Sequence, residues 1–307
     1  MFADSPLSLI LDPAVRPVAI GTAALGAVTG AIGTFAVVRR QSLQGDAVSH
    51  AALPGVALAF LLGGRSEIVI VFGAAVTGWI AMATVSGIVR RSRVPFDAAL
   101  GGALAVFFGL GLVLMTYLQK NVRGAATLRP QQYLFGQDAA LMRADDLWPV
   151  LGLGGAAIFV VVLLWKEFKL LSFDPDFGAS LGFPTRRLDL ALTGLVVVAV
   201  VIGLQTVGVV LMSALIVAPA VAARQWSDRF SHVTVLAAIL GASAGLAGTV
   251  LSHVLSSVRH TVPTGPTIVL VASAFAIGSL LVAPGRGIIW ETVWRIARRR
   301  HLAEATP

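Results

Sequence analysis

Two side chains capable of metal or proton chemistry stand four residues apart in GDAVSH, residues 45–50, where the chain enters a long apolar run. Asp46 and His50, at i and i+4, share one face if that run is helical. A carboxylate oxygen beside an imidazole nitrogen suits a divalent transition ion such as zinc, iron or manganese, whereas magnesium and calcium prefer all-oxygen shells. The spacing admits a plainer reading too. Asp46 stands where a helix N-cap stands, accepting backbone N–H bonds at the positive end of the helix dipole, and His50 is then a polar residue of the first turn. Two groups also make an incomplete shell, since zinc takes four ligands and manganese up to six. A twofold dimer with this helix beside its axis would bring two Asp and two His together. Pro54 and Gly55, further along, weaken the helix and permit a kink or an unwound turn, as at many substrate sites within membranes.

The elements that must hold this pair are membrane-spanning helices. The chain has 307 residues, of which 57% are hydrophobic and 12% charged, about half the charge of a soluble domain; its mean hydropathy is +0.87. Nine apolar segments lie at 15–38, 46–63, 68–89, 98–119, 147–165, 188–204, 207–225, 233–255 and 268–284. Each is about long enough to cross the roughly 30 Å hydrocarbon layer as helix, and none has the polar face a soluble helix needs. Ten-residue alternating strands are absent, which excludes a β-barrel. Segments six and seven are separated only by Gln205 and Thr206, so a single broken helix and eight spans are the alternative count. The positive-inside rule favours nine, with the N-terminus outside and the C-terminus inside: the charge islands at 39–40, 90–93, 166–187, 224–229 and 286–300 then hold 16 of the 23 Lys and Arg on the cytoplasmic side. The net charge of +8 accordingly points to anionic lipid rather than nucleic acid. The first residues, MFADSPLSLILDPAV, lack the positive region and cleavage site of a secretory leader. Cysteine is absent, so disulfides and thiolate ligands are excluded.

Glycine pairs at i, i+4, Gly26 with Gly30 and Gly241 with Gly245, allow close helix packing in lipid. The longest loop outside is 120–146. Within the cytoplasmic stretch 168–187, Asp174 before Pro175 reads as an N-cap with a first-turn proline, and Leu181-Gly182 closes a short helix; an ordinary loop and a docking helix fit equally. The remaining candidates are His253 and His260, which could face an external vestibule, and His232 and His301 at cytoplasmic ends. The segment RGIIWETVWRIARRR, within a tail at 286–307, places Ile289, Trp290, Val293, Trp294 and Ile296 opposite arginines and is suited to lie on the inner membrane surface. The sequence has no G-x-x-x-x-G-K-[ST], no H-E-x-x-H and no G-x-S-x-G, so a P-loop and the commonest membrane hydrolases are excluded.

The run RRQSLQGDAVSHAALPGVALAF (39–60) resembles the signature of permease subunits of bacterial ABC importers for manganese, zinc and iron. YLFGQDAALMRADDL (133–147), FDPDFGASLGF (173–183) and VGVVLMSALIVAPAVAAR (207–224) are similar to the same family in the same order. The resemblance implies an all-α polytopic permease fold over residues 1–285, working as a homodimer or paralogous heterodimer in the bacterial cytoplasmic (inner) membrane. It implies cytoplasmic ATP-binding subunits that hydrolyse ATP, an extracytoplasmic metal-binding protein, and no permanently bound cofactor. Asp46 and His50 would line the metal path. Asp174, Phe177, Gly178, Leu181 and Gly182 would form the coupling helix that meets the ATPase. Gly178 departs from the family's usual Ala, and His253 and His260 from its usual non-coordinating residues. The rival functions are a permease for a metal chelate of the siderophore or cobalamin kind, a metal carrier driven by an ion gradient, and a membrane enzyme. The reading of the spans puts Asp46 near the cytoplasmic side, which is shallow for an outward gate unless the second segment begins deeper.

Overall fold

The computed structural model describes residues 12, 15–63, 66–121, 147–206, 208–256, 262–284, 287 and 290. Every apolar segment becomes a helix. In chain order they are α1 Val15–Val38, α2 Gln44–Leu61, α3 Glu67–Arg91, α4 Phe96–Asn121, α5 Leu147–Leu163, α6 Trp165–Phe173, α7 Pro175–Ser180, α8 Thr185–Thr206, α9 Val209–Arg224, α10 Phe230–Leu255 and α11 Thr264–Val282. Six of these, α1, α3, α4, α8, α10 and α11, are long and apolar enough to cross a membrane by themselves, and α5 with α6 makes a seventh bent by 72°. Of the remaining three, α7 is short, and α2 and α9 are 18 and 16 residues long and each carries an internal proline, Pro54 and Pro219. Segments six and seven are distinct helices: the ladder breaks after Thr206, and Gly208 adopts φ +93°, ψ 161°, a conformation in which a Cβ is strained.

The most enclosed span is α1, 78% buried in its best apolar window, followed by α8 at 67%; α3, α4 and α11 stand at 28%. The bundle thus encloses α1, α8 and most of α2, with the more exposed α3, α4 and α11 outside them. The seam of α1 with α10 is made by small residues. A Cβ built on Gly26 would overlap the Gly241 carbonyl, one on Gly30 the Ala237 carbonyl, and one on Gly245 the Thr22 carbonyl. The two glycine pairs visible in the sequence therefore pack against one another within this chain. Threonines stitch the same seam, with Thr22 Oγ1 3.0 Å from Thr249 Oγ1 and Thr34 Oγ1 3.0 Å from Thr234 Oγ1. Contact between backbones and hydrogen bonds between helices replace the hydrophobic drive that lipid cannot supply.

At its C-terminal end α1 stops in a Schellman turn: Gln41 N–H donates to the Ala36 carbonyl and Arg40 N–H to that of Val37. The left-handed position usually given to glycine is filled by Arg40, at φ 56°. The chain reverses at once, and α2 starts four residues later. Gly33 and Gly45 both abut Ile216 of α9, so the start of α2 lies beside a residue five positions inside the end of α1, about 7.5 Å in from it.

Candidate functional site

In α2, the N-cap is Leu43, which makes no side-chain cap bond, and Asp46 lies in the first turn. Among the described residues no backbone N–H donates to its carboxylate, so Asp46 is not the N-cap that its position in the sequence suggests. It faces His50 instead, with Asp46 Oδ1 3.4 Å from His50 Nε2. The two side chains are 34% and 15% exposed. His50 Nδ1 is buried with no hydrogen-bond partner among the described residues. The imidazole is held from the side, edge-on to Phe108 of α4 at 4.7 Å between ring centroids.

The rest of α2 explains why these two groups remain accessible. Thirteen of its 18 residues are buried. The less buried positions on this side are Leu43, Asp46 and His50 at its start and Leu58 and Leu61 at its end, with residues 51–57 all buried between them. Gly55 admits the backbone of α3 at Gly73, and Gly111 of α4 admits Leu53 and Pro54, the latter one turn beyond His50 on its own face. Pro54 is therefore packed against a neighbouring helix as well as being a possible site of weakness. No group of three or more His, Cys, Asp or Glu side chains is assembled among the described residues. One chain thus offers a two-donor site at the start of α2, partly open at Asp46 and flanked by α4 at His50. An ion held tetrahedrally about 2.1 Å from each donor places them about 3.4 Å apart, the separation observed here.

The second cluster sits at the far end of the bundle. Asp174 caps α7, its Oδ1 accepting from Phe177 N–H at 2.9 Å, with Pro175 in the first turn. A Schellman turn closes the helix through Gly182 at φ +85°. Gly178 is the buried residue of α7, packed beside Leu170 and Thr185. Phe173, Phe177, Leu181 and Phe183 are exposed, an apolar patch of the kind that marks an interaction surface. Beneath it lies an aromatic cluster that sequence reading missed. Phe35 of α1 meets Trp165, Phe168 and Phe230 edge-on, Trp165 stacks on Phe230 at 5.4 Å, and Phe173 closes on Phe230 at 5.4 Å. Also unforeseen is an ion-pair hub in which Asp189 of α8 accepts from Arg39 at the end of α1 and, at 3.2 Å, from Arg90 of α3. Ionisable groups at the ends of hydrophobic segments were the available signal, but partners far apart in sequence have no mark in it.

His253 lies exposed near the end of α10, remote in sequence from the Asp46–His50 pair, with which no metal-binding group forms among the described residues. His260, His301, residues 133–146 and nearly all of the tail at 286–307 lie outside the described residues.

The ABC 3 transport family model matches residues 12–283. The chain is 42% identical over 295 residues to the zinc transport system membrane protein TroC of Treponema pallidum, covering 96% of each. It is 39% identical to the manganese transport system membrane protein MntC of Bacillus subtilis, covering 94% of this chain and 65% of that one. Among solved structures it is similar to PsaBC from Streptococcus pneumoniae in complex with Fab, with a TM-score of 0.77, 28% identity, and coverage of 92% of this chain and 96% of the other.

Proposed function

The chain belongs to the ABC 3 transport family, and from that premise we propose that it is the permease subunit of an ATP-driven importer of a divalent transition metal ion, manganese, zinc or iron. It is a multi-pass protein of the bacterial cytoplasmic membrane. It carries no P-loop, and the energy comes from ATP-binding subunits docked on the cytoplasmic side.

One observation carries the reading of the metal path: a carboxylate and an imidazole, 3.4 Å apart and partly accessible, at the start of a largely buried helix. The cargo ion binds between them. A second permease chain, identical or paralogous, brings its own pair to the same axis and completes four donors. A site shared between two chains opens when they separate, and its ion is released. Conduction requires such weak binding. His50 needs little reorganisation to accept the ion, since Phe108 already fixes its ring and Nε2 already faces the Asp46 carboxylate. The exposed patch of Phe177 and Leu181 on α7, with Asp174, Gly178 and Gly182 shaping its ends, receives the ATPase. An extracytoplasmic metal-binding protein delivers the ion to the opposite face. Residues 1–285 form the transporting unit.

The test is elemental analysis of cells lacking the gene and restored with the native chain, Asp46→Ala or His50→Ala at equal membrane levels. Under metal limitation the native chain raises one of manganese, zinc or iron, and both variants leave it at the level of the deletion strain. Equal recovery by native and variant chains would remove the pair from the path. Recovery of a chelated metal alone would reassign the substrate.

A further inference from the structure

A groove of about 250 Å³ runs along the outside of α3, lined by Trp79, Ala83, Gly87, Arg91, Arg186 and Leu190. Ser86 and Arg90 complete its wall. The α3 positions 79, 83, 86, 87, 90 and 91 form one helical stripe, and Arg186 and Leu190 are one turn apart on α8. Its two ends differ in chemistry. One is apolar: Trp79 and its neighbour Ile80 are exposed on a helix that is largely unburied within this chain. The other carries three guanidinium groups. Arg90 shares Asp189 with Arg39, while Arg91 and Arg186 are exposed and have no acidic partner among the described residues. From Trp79 to Arg91 the helix rises about 18 Å, comparable to one leaflet of a hydrocarbon core about 30 Å thick. The arginine end belongs to the basic islands that the positive-inside rule assigns to the cytoplasm.

We propose that this groove binds an anionic phospholipid of the inner leaflet, its phosphate held by Arg90, Arg91 and Arg186 and an acyl chain lying along Ala83 toward Trp79. Guanidinium groups match phosphate oxygens bidentately, and basic pockets between spanning helices on the cytoplasmic side have the composition of lipid headgroup sites. The other occupants fit less well. A second copy of the chain packed on this face by twofold symmetry would set the same arginines against one another. A soluble ATPase reaches the arginine end but not a groove that runs about 18 Å along a spanning helix.

The experiment uses the purified full chain in detergent with cardiolipin, phosphatidylglycerol or phosphatidylcholine added as probes, and reads retained lipid by native mass spectrometry. Each arginine at an anionic surface contributes about a fivefold preference, so Arg91→Gln/Arg186→Gln should lose retention of the anionic lipids about 25-fold and leave phosphatidylcholine unchanged. Arg93→Gln, an exposed arginine outside the groove, should retain them as the native chain does. Ala83→Trp, which blocks the apolar half and keeps every charge, should also reduce retention. Millimolar inorganic phosphate should displace lipid weakly, because it supplies no chain for the groove. Full retention by the double glutamine variant, an equal loss in Arg93→Gln, or complete displacement by phosphate with Ala83→Trp behaving as native would overturn the assignment. The first would remove the groove, the second would leave only diffuse charge, and the third would leave a site for free phosphate. The double glutamine variant changes only exposed side chains, so it tests the proposal even if Ala83→Trp fails to fold.

Discussion

Asp189→Asn keeps the volume of the side chain and removes the negative charge that Arg39 and Arg90 share. The two arms of this hub are not equivalent. Arg39 is 13% exposed and Asp189 17%, whereas Arg90 is 45% exposed. Exposed ion pairs contribute about 0–1 kcal/mol, while stripping the partner from a buried charge costs about 3–5 kcal/mol. The Arg39 arm falls between these limits, so Asp189→Asn should destabilise the chain by about 2 kcal/mol, nearly all of it through Arg39. Double-mutant cycles separate the arms. The coupling of Asp189→Asn with Arg39→Gln should be about 1.5–2 kcal/mol, and that with Arg90→Gln no more than about 0.5 kcal/mol. Equilibrium unfolding in mixed micelles titrated with dodecyl sulfate provides the free energies. Equal coupling through the two arginines would refute the reasoning that burial decides the strength of the pair, and coupling below about 0.5 kcal/mol through Arg39 would refute the hub as a stabilising element.

Three further outcomes follow from the same packing. Gly178→Ala should stabilise α7 by about 0.5–1 kcal/mol, because its added Cβ meets Leu170 and Thr185 at an ordinary 3.5 Å; a loss in the same titration would contradict that geometry. Gly26→Ala should cost at least about 1–3 kcal/mol, because the obstructing Gly241 carbonyl is backbone and cannot rotate away, while Gly152→Ala, with nothing within 4 Å, should be neutral or slightly stabilising. Gly208→Ala should cost about 1–3 kcal/mol, since φ +93° with ψ 161° is open essentially to glycine alone; an unchanged unfolding midpoint would show that the break between α8 and α9 relaxes freely.

Hydropathy located all nine apolar helices because a lipid-facing helix must be apolar along its whole length, and the proline and capping signals placed α7 to within a residue. The Gly26–Gly30 and Gly241–Gly245 pairs were legible as close-packing residues; that they meet each other was not, because a spacing of four marks a face and not its partner. The same limit hid the aromatic cluster and the Asp189 hub. Phe35, Trp165 and Phe230 look like ordinary span-end aromatics until the 72° bend between α5 and α6 brings them together. At Asp46 the sequence left cap and ligand open. Local geometry closes the N-cap alternative, since Leu43 occupies that position and the Asp46 carboxylate lies opposite an imidazole. Depth was unreadable from hydropathy because Gln44, Asp46 and His50 lower the average at the start of α2, although that start is packed against α9.

The two networks hidden from the sequence converge on the last turn of α1. Phe35 is gripped by rings from α6 and α10, and Arg39 is held by Asp189 of α8. Between them, α6 and α8 flank α7, the helix proposed to meet the ATPase. Beyond Arg39 the chain makes one Schellman turn and enters α2, so four residues, Arg40 to Leu43, separate this anchor from the helix that bears Asp46 and His50. Close-packed interiors transmit displacement rather than absorb it, and a contiguous chain of packed groups is a physical means of coupling two sites. A push on α7 therefore reaches α2 by way of α1 without crossing a flexible loop. If the Asp189–Arg39 pair transmits force as well as stabilising the fold, Asp189→Asn in the assembled transporter should lower metal imported per ATP hydrolysed by at least about fivefold, the factor expected for a coupling energy of about 1 kcal/mol. Uptake and hydrolysis measured together in proteoliposomes decide it, because lost stability alone reduces both rates in proportion and leaves their ratio unchanged.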